Sequence, residues 1–281
     1  MPRFSRRSFL HLSAAASAAT AFRFMTEPML AAAARRRPHS ADAVVIDSNE
    51  NPLGPCQAAR DAMAGMIPQG GRYCDNLTDD LVTVFAQNEG LNPDWIHATV
   101  GSTPPLSLAV LAFTSPQRSY VTADPGFETG THMAAIVGAR AVNIPLTKTY
   151  AHDVKAMLAA APDAGVFYIC NPNNPTGTLT PHGDIEYLVA NKPKDAIVIV
   201  DEAYIHFSEA PSALDLVKAG KDVIVLRTFS KVYGMAGIRC GFLVARPDLT
   251  EKVMARGGWN FMPITACAAA SASLKDAQLV P

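Results

Sequence analysis

The chain has 281 residues, is 49% hydrophobic and carries a formal net charge of −1, a profile that fits a globular protein with a sizeable core. The near-neutral balance, with no Lys/Arg-rich stripe, offers no electrostatic footprint for nucleic acid, and no apolar run reaches the roughly 20 residues needed to span a bilayer. Five cysteines (Cys56, Cys74, Cys170, Cys240, Cys267) make an odd count without Cys-x-x-Cys spacing, so neither a zinc site nor a redox pair is signalled and no metal is expected.

Ser5-Arg6-Arg7-Ser8-Phe9-Leu10 is a paired arginine followed directly by apolar residues; an alanine-rich stretch runs to about Thr20, and small residues recur from Ala31 to Ala34. Basic, apolar and small-residue regions in that order are the layout of an export signal, and the arginine pair points to the twin-arginine route. Residues 1–34 are therefore expected to be a twin-arginine signal, with a periplasmic location, or a cytoplasmic one if the signal is not used. Residues 35–72 are expected to form an N-terminal arm, and 73–281 one large domain.

From residue 96 onward, short β-branched-rich apolar runs alternate with helical patterns. The runs at 96–100, 120–123, 141–144, 166–170, 197–200, 223–226 and 241–245 predict strands, nearly continuous in apolarity, as strands buried on both faces are. Helices are predicted at 105–113, 127–137, 154–160 and 185–190. The alternation predicts an α/β domain with a mostly parallel seven-stranded sheet sandwiched by helices. In such sheets ligands bind outside the carboxyl ends of the strands. Cys170 and Cys240, at strand ends, read as small buried hydrophobes.

Polar clusters follow four of these strands. Gly101-Ser102-Thr103-Pro104 is a small-residue turn opening a helix, with proline at a plausible first position; it serves as a simple cap or as a phosphate site at a helix amino terminus. Asn171-Pro172-Asn173-Asn174-Pro175-Thr176-Gly177 is an irregular loop, either an ordinary Asn/Pro turn or a donor of amide hydrogen bonds to a phenolate. Asp201-Glu202-Ala203-Tyr204 puts a carboxylate at a buried strand terminus, costly unless paired; it reads as a helix cap or as the partner of a pyridine nitrogen. In Thr228-Phe-Ser-Lys-Val-Tyr-Gly-Met-Ala-Gly-Ile-Arg239, two hydroxyls (Thr228, Ser230) precede Lys231 and Arg239 follows it. A strand end with a solvated lysine and a capping serine fits this segment. So does an amine beside a phosphate cradle, which a pyridoxal-phosphate enzyme needs: the lysine forms a Schiff base with the cofactor aldehyde while the rest grips its phosphate.

The ordered set resembles the fold-type-I pyridoxal-phosphate enzymes, and within them the histidinol-phosphate aminotransferase group of class I/II aminotransferases. The matching pieces are Asn49-Glu50-Asn51-Pro52-Leu53-Gly54-Pro55, Arg72-Tyr73, Gly101-Ser102, Asp124-Pro125-Gly126-Phe127-Glu128, Asn171 to Gly177, Asp201 to Tyr204, and Ser230-Lys231 with Arg239 eight residues on. The combination is far more specific than any one motif. The resemblance implies pyridoxal 5′-phosphate as cofactor, with Lys231 as the Schiff-base lysine and the base that moves the substrate proton. It implies Asp201 as partner of the pyridine nitrogen, Asn174 and Tyr204 as hydrogen-bond partners of the phenolic oxygen, and Phe127 against the ring face. Ser102, Thr103, Thr228, Ser230 and Arg239 would hold the phosphate, Arg239 through charge-assisted bonds. Tyr73 would reach the phosphate of a neighbouring subunit, which implies a homodimer. The substrates implied are an L-amino acid or histidinol phosphate and a 2-oxo acid. A cofactor-binding remnant with impaired catalysis and another reaction, such as decarboxylation of a phosphorylated amino acid, are the alternatives.

Three departures stand out. Pro104 and Pro105 occupy positions where relatives usually carry an acidic residue and an aliphatic, and each removes an N–H at the helix start. Cys74 stands where Arg-Tyr-Pro-Asp is usual. Family members continue for roughly another hundred residues into a small domain, a folding unit in its own right. Here the sequence reaches Pro281 within what reads as the helix leading there, so that domain is expected to be largely missing. Arg227, Arg246 and Arg256 occupy motif positions unsuited to replace its carboxylate-binding arginine.

Overall fold

The computed structural model describes residues 42–257 and 261–280; the expected export signal lies outside them. The chain divides at Asn49/Glu50, and the second unit, from Glu50 to Pro281, holds the elements considered below. In chain order these are α1 (Gln57–Met66), α2 (Asn76–Glu89), β1 (Ile96–Thr99), α3 (Thr103–Phe113), β2 (Ser119–Asp124), α4 (Thr129–Ile136), β3 (Ala141–Pro145), α5 (Val154–Ala160), β4 (Ala164–Cys170), α6 (His182–Asn191), β5 (Ile197–Asp201), α7 (Leu214–Lys218), β6 (Val223–Thr228), β7 (Gly241–Val244), α8 (Pro247–Met254) and α9 (Ile264–Lys275).

The strands form one seven-stranded sheet in the order β1-β7-β6-β5-β4-β2-β3. Pairings from β3 across to β6 are parallel, whereas β7 is antiparallel to both β6 and β1. The expected α/β architecture is thus the observed one. Each predicted strand is present, with ends displaced by at most two residues.

Alternation along the strands divides the core into two layers. Phe167 and Ile169 of β4, Val198 and Val200 of β5, and Val223 and Val225 of β6 face the layer that includes Leu81 and Phe85 of α2 and Ala266 and Ala269 of α9. Their neighbours Val166, Tyr168, Cys170, Ile197, Ile199, Ile224 and Leu226 face the layer of α3, α4 and α8. Both faces are covered, which explains the unbroken apolar runs. Cys170 and Cys240 are buried free thiols, as small core residues are.

Two differences from the sequence reading have local causes. Helix α3 starts at Thr103, so Pro104 and Pro105 occupy its second and third positions rather than Pro104 the first; prolines are tolerated there because first-turn N–H groups have no intrahelical acceptor. Helix α9 ends at Lys275, short of the span toward Pro281 that the sequence suggested. The backbone at Asp276 is extended, and its N–H bonds back to Ser273 O at 3.3 Å. Helix α1, within the expected arm, packs against α9 in the same compact unit as the sheet.

Phe242 of β7 ties this layer together: its ring stacks on Phe85 at 4.2 Å and meets Phe229 edge-on at 5.7 Å, with no solvent exposure. Phe242→Ala is expected to lower unfolding stability by about 3–5 kcal/mol, read from the midpoint of a urea titration.

Candidate active site

Sheet direction decides where the polar clusters meet. Strands β2, β4, β5 and β6 run parallel, and β1, joined through β7 by two antiparallel pairings, runs the same way. The segments after β1, β2, β4, β5 and β6 therefore leave the sheet at one edge, where the β6–β7 connection carrying Lys231 also lies. Gly241 pairs with both Thr99 and Thr228, which brings the Ser102 turn beside the Thr228–Arg239 segment although more than a hundred residues separate them.

Asp201 ends β5 and is 4% exposed. Tyr168 Oη donates to its Oδ2 at 3.0 Å, and the Ala203 N–H donates to Oδ1 at 3.1 Å. Burial nevertheless pushes the carboxyl up to about 6, against the opposing pull of Tyr168, Ala203 and Lys231. A carboxylate so placed is prepared for a further cationic or N–H partner. Asp201 does not cap a helix; the segment after it is a short 3-10 turn at Ile205–Phe207.

Lys231 is half-buried, with Nζ 5.5 Å from the centroid of the Tyr204 ring. Its amine is held below the ordinary lysine value, chiefly by burial; Glu50 and Asp201 pull it up, and Arg239 pushes it down. Its turn is anchored from outside: Asn51 Nδ2 donates to Val232 O at 3.0 Å. Gly234, at φ 65°, lies so close to the backbone of Gly54 that a Cβ would strike the Gly54 carbonyl. Of the two readings of this segment, the solvated lysine does not describe Lys231, which is half-buried with its amine over an aromatic ring.

The hydroxyls and the guanidinium assemble around it. Thr228 Oγ1 donates to Ser230 Oγ at 2.9 Å and accepts from the Ser230 N–H at 3.1 Å. Arg239 Nη1 donates to Ser230 Oγ at 3.3 Å and to Ala236 O at 2.7 Å, and Nη2 donates to Val100 O at 3.0 Å. The guanidinium crosses directly above Gly101, where a Cβ would collide with it. Arg239 itself holds φ 68°, a conformation costly for a side-chain-bearing residue and concentrated at functional sites. Ser102 is 9% exposed beside this group, and Thr103 is exposed at the first position of α3.

The remaining expected residues divide. Asn174 is half-buried in the loop after β4, and Phe127 packs against the core layer of α3 and α4. Their loops are joined where Asn173 Nδ2 donates to Pro125 O at 3.2 Å. Buried Asn173 Oδ1 has no hydrogen-bond partner among the described residues. Tyr73 stands apart: it is 71% exposed, its ring 4.6 Å from that of Phe261.

One contributor escaped the sequence reading, Tyr168; Gly101 was singled out there, but not as the residue that admits Arg239. Tyr168 could have been found from strand parity. Cys170 pairs with Asp201 in register, so Tyr168, two residues earlier, shares a face with Asp201, and a buried tyrosine hydroxyl needs a partner. The sequence around Gly101 gives no sign of the guanidinium it admits, because Arg239 lies more than a hundred residues on and reaches it only through the pairing of β7 with β1.

Buried Asp201 is a stability liability above its titration range. A carboxyl raised from its ordinary value to about 6 makes the fold bind more protons than the unfolded chain between about pH 4 and 6, so stability falls as pH rises through that window and is level above it. Asp201→Asn is expected to be more stable than the parent at pH 7.5 by up to about 3 kcal/mol. That advantage should vanish near pH 4, as measured by urea unfolding of the cofactor-free chain at both pH values.

Comparison with known proteins agrees with this geometry. Histidinol-phosphate aminotransferase 1 of Cupriavidus pinatubonensis is 38% identical over 212 residues, covering 74% of this chain and 56% of that protein. The aromatic amino acid aminotransferase of Rhodococcus jostii is 37% identical over 207 residues, covering 73% and 58%. The chain thus spans a little over half the length of these curated relatives. Among solved structures, the histidinol-phosphate aminotransferase of Sinorhizobium meliloti, determined in complex with pyridoxal-5′-phosphate, superposes with a TM-score of 0.74 at 28% identity, covering 82% of this chain and 63% of that one. With residues 41–281 matching the family of aminotransferases class I and II, the chain belongs to that family.

Proposed function

We propose that this chain binds pyridoxal 5′-phosphate and transfers an amino group between an L-amino acid, or histidinol phosphate, and a 2-oxo acid. The observation that carries the reading is the convergence of a buried carboxylate, an amine of lowered proton affinity and a hydroxyl–guanidinium cradle at one sheet edge. The residues fit the cofactor on chemical grounds. Arg239 with Ser230 and Thr228 suits a phosphate dianion, joined by Ser102 and Thr103 at the start of α3. Pro104 and Pro105 leave the first turn of α3 with two fewer N–H donors, so more of the phosphate charge falls to Arg239.

When bound, the cofactor supplies an electron-withdrawing ring that stabilises negative charge at the substrate α-carbon. The protein's residues set the conditions. Asp201, ionised, would keep a proton on the pyridine nitrogen. Asn174 and Tyr204 would hydrogen-bond the phenolic oxygen, and Phe127 would pack on the ring. Lys231, its proton affinity lowered by burial, would supply the amine that meets the aldehyde carbon and that carries a proton on Nζ. The exposed Tyr73 would complete the phosphate site of a second copy in a homodimer. The reading places the protein in the periplasm through the twin-arginine segment at Arg6 and Arg7. Names of the relatives support the substrate class, the first being a histidinol-phosphate and the second an aromatic amino acid aminotransferase.

Purified chain mixed with the cofactor is expected to gain a visible absorbance band that Lys231→Ala lacks. Absence of a band in both sinks the assignment. Amino donors added singly, histidinol phosphate and aromatic amino acids among them, should bleach the band if the chain transaminates. For export, cell fractionation is expected to find the full chain in the periplasm and Arg6→Lys/Arg7→Lys in the cytoplasm.

A further inference from the structure

Behind the candidate site, on the opposite face of the sheet, lies a buried ionic network that none of these roles uses. Arg227 is the penultimate residue of β6 and 5% exposed; Glu202 directly follows β5 and is 1% exposed. Arg227 Nε donates to Glu202 Oε2 at 2.7 Å, its Nη2 donates to Ser212 Oγ at 2.9 Å, and its Nη1 lies 3.6 Å from Glu89 Oε1 at the end of α2. Glu202 is bonded all round: Oε1 accepts from the Ala213 N–H at 2.7 Å, and Oε2 accepts from Ser212 Oγ at 2.8 Å. His206 Nε2 faces both Arg227 Nη1 at 3.4 Å and Tyr233 Oη at 3.5 Å.

Every strand end in this network is bonded to a residue of the candidate site. Glu202 is the chain neighbour of Asp201, Arg227 of Thr228, and Tyr233 lies two residues beyond Lys231. The Tyr233 ring packs on Phe229 at 4.6 Å and meets His206 edge-on at 5.2 Å, so the lysine turn is gripped on both sides. A buried ion pair adds little net stability over an apolar pair of similar volume. Its planar, forked geometry does fix distances.

We propose that Arg227, held by Glu202, is a positioning residue for the candidate site: it locks the end of β5 to the start of the lysine turn, so that the Asp201 carboxylate and the Lys231 amine keep one spacing. The ligand in this inference rests on the pyridoxal-phosphate reading; the spacing itself does not.

Two variants separate positioning from mere stability. Glu202→Met/Arg227→Met replaces the pair with apolar volume and leaves no lone buried charge; Arg227→Lys keeps the charge but loses the fork. Each is compared with the parent by thermal melting and by visible titration with pyridoxal 5′-phosphate. A third readout needs no cofactor: the pH midpoint for acylation of Lys231 by acetic anhydride, followed by mass spectrometry. Cooperative melting is expected for at least one variant, with affinity for the cofactor weaker by about tenfold or more and the Lys231 midpoint moved up toward that of an ordinary lysine. A folded variant with parental affinity and midpoint overturns the proposal, and so does failure of both variants to melt cooperatively, which makes the network a stability element alone. If the parent takes up no cofactor, the functional reading fails while the acylation arm still decides the positioning role.

Discussion

Adjacent residues on a strand point to opposite faces of a sheet, and at the ends of β5 and β6 that rule divides two dipeptides between two tasks. Asp201 and Thr228 share parity with Ile199 and Leu226, on the layer of α3 and α4; Glu202 and Arg227 share parity with Val200 and Val225, on the layer of α2 and α9. Chemistry-bearing groups thus collect on one face while their neighbours bond to each other on the other. A one-residue slip in the pairing of β5 with β6 would exchange the two sets. The Glu202–Arg227 bond, reinforced by the Glu202 N–H donating to Leu226 O at 2.9 Å, opposes that slip directly.

The energetics of the two faces differ in kind. Behind the sheet, opposite charges are paired and fully hydrogen-bonded, a state from which removal of either partner costs about 3–5 kcal/mol. In front, Asp201 receives two neutral donors and Lys231 is half-buried with Nζ over the Tyr204 ring; burial shifts each away from its charged form. On the proposed reading, a phosphorylated, cationic heterocycle would bring that face an N–H toward Asp201, an aldehyde toward Lys231 and a dianion toward Arg239. Such a ligand would couple binding to folding at this edge, by relieving the cost of the buried Asp201 carboxylate.

Glycine at 101 and 234 has steric rather than dynamic significance. Gly101 leaves room for the Arg239 guanidinium to reach Val100 O, and Gly234 lets the lysine turn approach the 51–54 segment. Through that approach the segment carrying Asn51 becomes a wall of the site.

Much of this was determined by local sequence. Unbroken β-branched runs separated by helical patterns required a parallel sheet covered on both faces, and Pro, Gly and Asn after the strands required irregular loops at their carboxyl ends. Lys231, Asp201 and Asn174 could be picked out because each follows such a run, and the resemblance to aminotransferases assigned them partners. Only the tertiary structure decided which distant groups meet. The antiparallel placement of β7 between β1 and β6 carries Arg239 over Gly101, and strand register brings Tyr168 to Asp201 and Arg227 to Glu202. Those encounters depend on strand order and register, which are set by summed burial across the whole sheet; strand parity alone marks the face that Tyr168 shares with Cys170, not the residue it meets across the sheet.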